Sequence, residues 1–279
     1  MWYNKIFKSK FNSLDSIKLP KREQSLAEIF LSTYNSQEVI QDCLESVIPQ
    51  LKHDIKLIII DDFSKDNTSE LIKELIKNKN EYITFIQNTE NYGLSINLYR
   101  LVESSKAIFG FRMDSDDIAS KDRFSIQLNH MKRNHNIDIL GSQVAYINKN
   151  NEIIGKSKQP LTNNQIRKNI YKNPMIHPTV IFRIDKISEI GNYNFKYPHG
   201  QDYELWMRAA YNKLQFENLQ SKLLIYRKST LPKYNIKTLS YELCVALYWL
   251  PKLETSFYKY LIILGRFIYR SFLYLVRSK

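Results

Sequence analysis

The chain has 279 residues, 43% hydrophobic and 25% charged, enough for one large domain or two small ones around a substantial core. Forty-one Lys and Arg against 28 Asp and Glu give a formal net charge of +13 and a pI near 9.4. That balance favours an anionic partner: a nucleotide, a nucleic acid, a polyanion or an acidic membrane surface. The two cysteines, Cys43 and Cys244, exclude a disulfide framework or a cysteine metal pattern, and both read as reduced core residues of a cytosolic protein.

Residues 1–24 are polar and basic and read as an extension outside the main fold. No long apolar run opens the chain, so a cleaved signal peptide is not expected. A strand is predicted at 26–32, then a helix at 36–50 whose apolar face is Val39, Ile40, Cys43, Leu44 and Val47. "IKLIIID" (55–61) has the continuous apolar character of a strand buried on both faces. A helix at 67–79, a strand at 82–88, a helix at 93–105 and a strand at 107–113 follow. This alternation predicts right-handed βαβ units and a mostly parallel sheet. Beyond residue 117 the rhythm loosens. Helices are predicted at 121–135 and 201–212, and strands at 137–148, 179–184 and 223–229.

In an open parallel sheet, ligands gather at the carboxyl ends of the strands. Those ends carry "STYNS", "DDFSKDNT", "NTENYG" and "MDSDDIA". Each alone reads as ordinary turn chemistry. All four on one edge are harder to explain as turns. The last holds Asp114, Asp116 and Asp117, carboxylates that repel one another unless a cation or good solvation offsets them.

Five blocks, in order, carry a family resemblance: "IFLSTYNSQEVIQDCLESVIPQ", "LIIIDDFSKDNTSELI", "FRMDSDDIASKDRFSIQ", "MIHPTVIFR" and "GQDYELWMRAA". They resemble the family 2, GT-A-type, nucleotide-sugar-dependent glycosyltransferases, in the branch that builds lipopolysaccharide and capsular glycans. The resemblance spans about residues 26–230 and implies a GT-A fold. Residues 25–118 would form the nucleotide-sugar half and 119–230 the acceptor half. One departure is Phe63, where the family usually has Gly.

The resemblance implies a role for each matched residue. Asp62 would accept a hydrogen bond from a uracil imide, with Tyr34 packed on the base and Ser32 and Thr33 lining the pocket. As a bare residue, Tyr34 reads equally as a buried aromatic. Asp114-Ser-Asp116 matches the family's DxD motif, with Asp116 as principal ligand of Mn²⁺ or Mg²⁺ and Asp114 on the ribose or a metal-bound water. Asp117 would support either or cap the next helix, and Arg112 would serve the donor site or pair with these carboxylates. Asp202 would be the general base, although in isolation it reads as a helix N-terminal carboxylate. Trp206 would stack on a sugar or belong to the core. Arg208 and Arg227 would meet the diphosphate or sit at the surface. His177 would line the leaving-group side or simply pack. The implied partners are a nucleotide-sugar donor, UDP-linked by resemblance, and a glycan or lipid-linked acceptor.

Two other readings stay open. A nucleotidyltransferase needs a Gly-rich loop after the first strand, and "LSTYNSQE" has none. A nucleic-acid-binding protein is suggested by charge alone, so no nucleic acid partner is expected. The final region, 231–279, is predicted to be helical and membrane-associating. In it Lys259, Arg266, Arg270 and Arg277 are spaced seven, four and seven apart, one stripe on a helix. The expectation is an interfacial helix, its cations on anionic headgroups at the cytoplasmic membrane face; the alternative is a helix packed on the catalytic domain.

Overall fold

The computed structural model describes residues 18, 19, 22, 24–77, 80–228, 236–254, 256 and 258–277. Most of the basic extension, residues 78–79 of the predicted second helix, and residue 229 of the last predicted strand lie outside these.

The first half builds as the alternation requires. Strands β1 (Ala27–Thr33), β2 (Ile55–Asp61), β3 (Ile83–Gln87) and β4 (Phe109–Asp114) lie parallel in the order β3-β2-β1-β4. Helices α1 (Ile40–Val47), α2 (Thr68–Ile76) and α3 (Leu94–Ser104) make the crossovers. The pleat sorts the apolar side chains into two cores, one per face. Ile29, Leu31, Leu57 and Ile59 face one core, while Phe30, Ile58 and Ile60 face the other. Both faces of the sheet are therefore covered, which accounts for the unbroken apolar runs.

The second half adds β5 (Ile118–Ala119), α4 (Arg123–Arg133), β6 (Ile139–Ile147), β7 (Ile153–Lys156), α5 (Asn163–Lys168), β8 (Ile181–Arg183), α6 (Ile184–Glu189), α7 (Gln201–Tyr211) and β9 (Phe216–Arg227). The described strands form one sheet, order β3-β2-β1-β4-β8-β6-β9-β5, with β7 hung on β6. β8 is shorter than predicted and antiparallel to both β4 and β6. The 3-10 turn His177–Thr179 leads directly into it. β9 begins earlier than predicted. Register shifts opposite Ser142–Val144 break its alternation, so "FENLQSK" does not read as strand.

Gly110 lets β4 carry the rings of Phe30 and Phe182 across it: a Cβ there would meet both at 2.7 Å. Cys43 is buried as expected, but Cys244 is exposed. The fold also begins before residue 25. Arg22 forms a 2.6 Å ion pair with buried Glu28 and donates to the Ser104 hydroxyl and the Leu101 carbonyl. That end of the extension is thus tied to the sheet and α3.

Two C-terminal helices complete the structure. α8 (Ile236–Lys252) packs on α7, and α9 (Tyr258–Arg277) packs on α8. No helix among the described residues is long and apolar enough to cross a membrane.

Candidate active site

β4 delivers its last residue, Asp114, to the sheet edge, and the turn into β5 adds Asp116 and Asp117. One oxygen from each carboxylate lies within 4.8 Å of the others. Beneath them two guanidinium groups are fully buried. Arg112 bonds the Asp114 carboxylate and the Met113 carbonyl. Arg123 donates to the carbonyls of Arg112 (2.9 Å) and Pro178 (2.6 Å). Burial pulls the Arg123 pKa down to about 9, against the opposing pull of Asp117. Arg112 therefore supports the carboxylates from below and does not reach a donor in the cleft.

Asp117 accepts from the Arg227 backbone N–H at 2.9 Å. Its Oδ2 is buried and has no hydrogen-bond partner among the described residues. Burial first, then Asp114 and Asp116, push its carboxyl well above the usual range. An orphaned buried oxygen among crowded hard-oxygen donors fits a divalent cation. Arg227 corrects another expectation. Its side chain donates to the Asp116 carbonyl (3.1 Å) and Asp42 (2.8 Å), so it ties β9 to the carboxylate turn and α1. It is committed to that turn and is not offered to a diphosphate.

At the end of β2, Asp62 is buried. Its Oδ1 accepts from Asn88 (2.7 Å) and the Tyr92 N–H (2.9 Å), and its Oδ2 from the Gly93 N–H (2.8 Å). These donors leave about one of a carboxylate's four lone-pair sites. Gly93 sits at φ +89°, a conformation that favours glycine. Phe63, at the position where Gly was expected, also takes positive φ, +67°, and Lys65 Nζ lies 3.1 Å from its ring centroid. Tyr34 is 46% exposed at the cleft, not buried. Ser32 Oγ accepts from Asn97 and Thr33 is buried, and neither lines the cleft.

Tyr34, Asp62, Asp114, Asp116, His177 and Asp202 open into one cleft of about 960 Å³. Asp202 stands in the first turn of α7, just after Gly200 at φ +68°. Its Oδ2 accepts from Asn173 Nδ2 at 2.9 Å. Burial raises its pKa, the Asn173 and backbone hydrogen bonds oppose that, and the Asp114 charge adds to it. His177 bonds the Tyr193 hydroxyl at 2.9 Å. Burial and Arg112 hold its pKa well below the usual value, which favours the neutral imidazole. Trp206 is 0% exposed and packs edge-on to His177 at 5.9 Å. It is core, and no sugar can stack on it. Arg208 is paired with Glu204 (2.8 Å) and donates to the carbonyls of Ile190 and Asn192, which holds it away from any diphosphate.

The C-terminal stripe is turned opposite to expectation. Ile263, Arg266, Phe267 and Arg270 of α9 form part of the cleft wall, and Arg270 meets Glu242 of α8 at 3.1 Å. Lys259 is buried, its Nζ 5.5 Å from the Tyr171 ring centroid. The exposed face carries Leu261, Leu264, Ile268, Tyr269 and Phe272. These cations therefore face inward, not toward headgroups on the outer face. The side chain of Arg277, counted in the sequence pattern, lies outside the described residues. Sequence reasoning missed Asn173, whose positive φ of 54° leaves no sequence signal. It also missed Glu242, the one acidic residue of Ile236–Lys252, which was a usable signal.

The glycosyl transferase family 2 model matches residues 28–191. An uncharacterized glycosyltransferase of Methanocaldococcus jannaschii is 30% identical over 209 residues, 74% of this chain and 71% of that protein. An Escherichia coli UDP-Glc:α-D-GlcNAc-diphosphoundecaprenol β-1,3-glucosyltransferase is 29% identical over 189 residues, 65% of this chain and 68% of that one. Among solved structures, S. aureus TarS 1–349 in complex with UDP-GlcNAc superposes with a TM-score of 0.68 at 19% identity. That match covers 88% of this chain and 72% of TarS 1–349. The chain belongs to glycosyl transferase family 2 and has the GT-A fold. It is a nucleotide-sugar-dependent glycosyltransferase, which displaces the nucleotidyltransferase alternative.

Proposed function

We propose that this enzyme moves a sugar, with inversion, from a UDP-linked donor to a hydroxyl of a lipid-linked glycan in surface polysaccharide synthesis. The observation that carries it is the opening of Asp202 and the Asp114–Asp116 pair into one cleft from different halves of the chain. The UDP-sugar named for the E. coli relative and the UDP-GlcNAc bound by TarS support the choice of UDP. The relative's diphosphoundecaprenol acceptor supports a lipid-linked one.

In this reading residues 25–118 hold the donor and residues 119–230 the acceptor. Tyr34 packs on the uracil, and the remaining lone pair of Asp62 receives its imide N–H. Asp116, Asp114 and Asp117 would hold Mn²⁺ or Mg²⁺, which when bound neutralises diphosphate charge. Asp202 takes the proton of the acceptor hydroxyl as that oxygen attacks the anomeric carbon. The bond from that carbon to the diphosphate oxygen breaks, and its electron pair leaves with UDP. Asn173 orients the Asp202 carboxylate and favours its charged form. Residues 231–279 rest the enzyme on the cytoplasmic membrane face through the outer side of α9.

A donor screen tests this, reading nucleotide release from UDP-, GDP- and dTDP-sugars with lipid-linked acceptors, with and without Mn²⁺. UDP release that depends on both acceptor and metal is the expected result. No release from any sugar nucleotide would overturn the reading, and preference for another nucleotide would overturn its donor.

A further inference from the structure

Arg266 and Arg270 stand one helical turn apart on α9 and both line the cleft that contains Asp202. Glu242 lines the same cleft. A Cβ at Gly200 would lie 3.7 Å from Glu242 Cγ, Glu242 accepts from Arg270 at 3.1 Å, and its proton affinity responds to both Asp202 and Arg266. Arg266 makes no hydrogen bond or ion pair among the described residues. On this wall, apart from the base itself, the Glu242 carboxylate stands with two guanidinium groups, those of Arg266 and Arg270. A neutral sugar hydroxyl needs no such charge. Guanidinium groups in a partly buried wall suit a phosphate, whose oxygens match their forked donors.

We infer that Arg266 and Arg270 form an acceptor subsite for a phosphate or diphosphate group attached to the sugar whose hydroxyl reacts. This rests on the reading of the cleft as a glycosyltransferase site with Asp202 as base. It makes α9 a specificity element: its outer side is apolar, and its inner side holds the anionic linkage of a lipid-linked acceptor. The donor's own diphosphate belongs with the carboxylates of the DxD turn.

The test compares acceptors carrying the same sugar: one linked through diphosphate to a short lipid, one linked through diphosphate to methyl, and one as a neutral octyl glycoside. Arg266→Ala should lower the ratio of kcat/KM for diphosphate over neutral acceptor by roughly 10- to 100-fold, the range for losing hydrogen bonds to a charged group. Arg266→Lys should restore part of it. The methyl and lipid diphosphates should fall alike if phosphate is the recognised chemistry. A fall only for the lipid form, or an equal fall for all three acceptors, would overturn the subsite. Binding of the methyl diphosphate to UDP-saturated enzyme gives a readout free of turnover, and binding equal in wild type and Arg266→Ala would also overturn it. Failure of the underlying reading looks different: Asp202→Asn would then leave turnover intact whatever Arg266 does.

Discussion

Asn173 Nδ2 donates to Asp202 Oδ2 across 2.9 Å, and with the backbone hydrogen bonds to this carboxylate it opposes the burial that raises the pKa of the base. A general base works deprotonated, so raising its pKa moves the acid limb of the rate profile to higher pH. Removing Asn173 removes a stabiliser of the charged form and moves the limb further up. Asn173→Gly is the suitable change, because it keeps the positive φ of 54° without strain. The kcat–pH profile should show the acid limb above the ordinary carboxylate range in wild type and higher still in the variant. An unmoved limb would separate Asn173 from the base.

Asp202→Asn should lower kcat by roughly 10²–10⁴, the usual contribution of a general base, and leave UDP-sugar affinity nearly unchanged. NMR of the product made by wild type should show the inverted anomer. Retention, or normal kcat in Asp202→Asn, would sink the assignment.

The crowding of Asp114, Asp116 and Asp117 predicts a cation effect that is visible without turnover. Burial, and after it the repulsion of Asp114 and Asp116, raises the Asp117 pKa; bound Mn²⁺ would offset that repulsion, and the folded state gains stability by mass action, about 2.7 kcal/mol at a hundredfold excess over Kd. Thermal melts should move upward with Mn²⁺ in wild type and much less in Asp116→Asn. EDTA should abolish transfer, and added Mn²⁺ should restore it. Identical melts with and without metal would argue against the seat.

The sequence made the donor half legible because its physics is local. Apolar runs such as "IKLIIID" bury both faces, and a parallel sheet sends its carboxyl-end residues to one edge, so Asp62, Asp114 and Asp116 could be placed from order alone. The acceptor half was less legible because its site is assembled by long-range packing. Arg208 and Arg227 carry the charge a diphosphate wants, yet each is engaged by groups that only the fold brings near, the Ile190 carbonyl for Arg208 and Asp42 for Arg227. The period of α9 is legible in the sequence, but periodicity fixes only which residues share a face. It does not say which face meets the protein, and the packing of α9 on α8 decided that.

Trp206 makes that contrast measurable. Fully buried against His177, it acts through packing, so Trp206→Ala should cost about 3–5 kcal/mol of stability. Denaturant unfolding should show a lower midpoint. A variant of normal stability with a raised acceptor KM would return Trp206 to a sugar-binding role.

The last prediction concerns the outer side of α9. Ile268 and Phe272 are 59% and 61% exposed, and Leu261, Leu264 and Tyr269 lie on the same side. Full burial of such a side chain is worth about 1.5–3 kcal/mol, so partial insertion of several into the headgroup boundary can hold the protein on a bilayer. The cations at Arg266 and Arg270 face the cleft, so attachment should depend on apolar area more than on lipid charge. Full-length protein should float with zwitterionic vesicles and keep most of that binding in high salt. Ile268→Glu with Phe272→Glu should release it without lowering turnover of a short, water-soluble acceptor. Flotation only with anionic vesicles, lost in salt and indifferent to the two substitutions, would overturn this placement. A dimer in solution that the same substitutions dissociate would assign the face to a second copy of the chain instead.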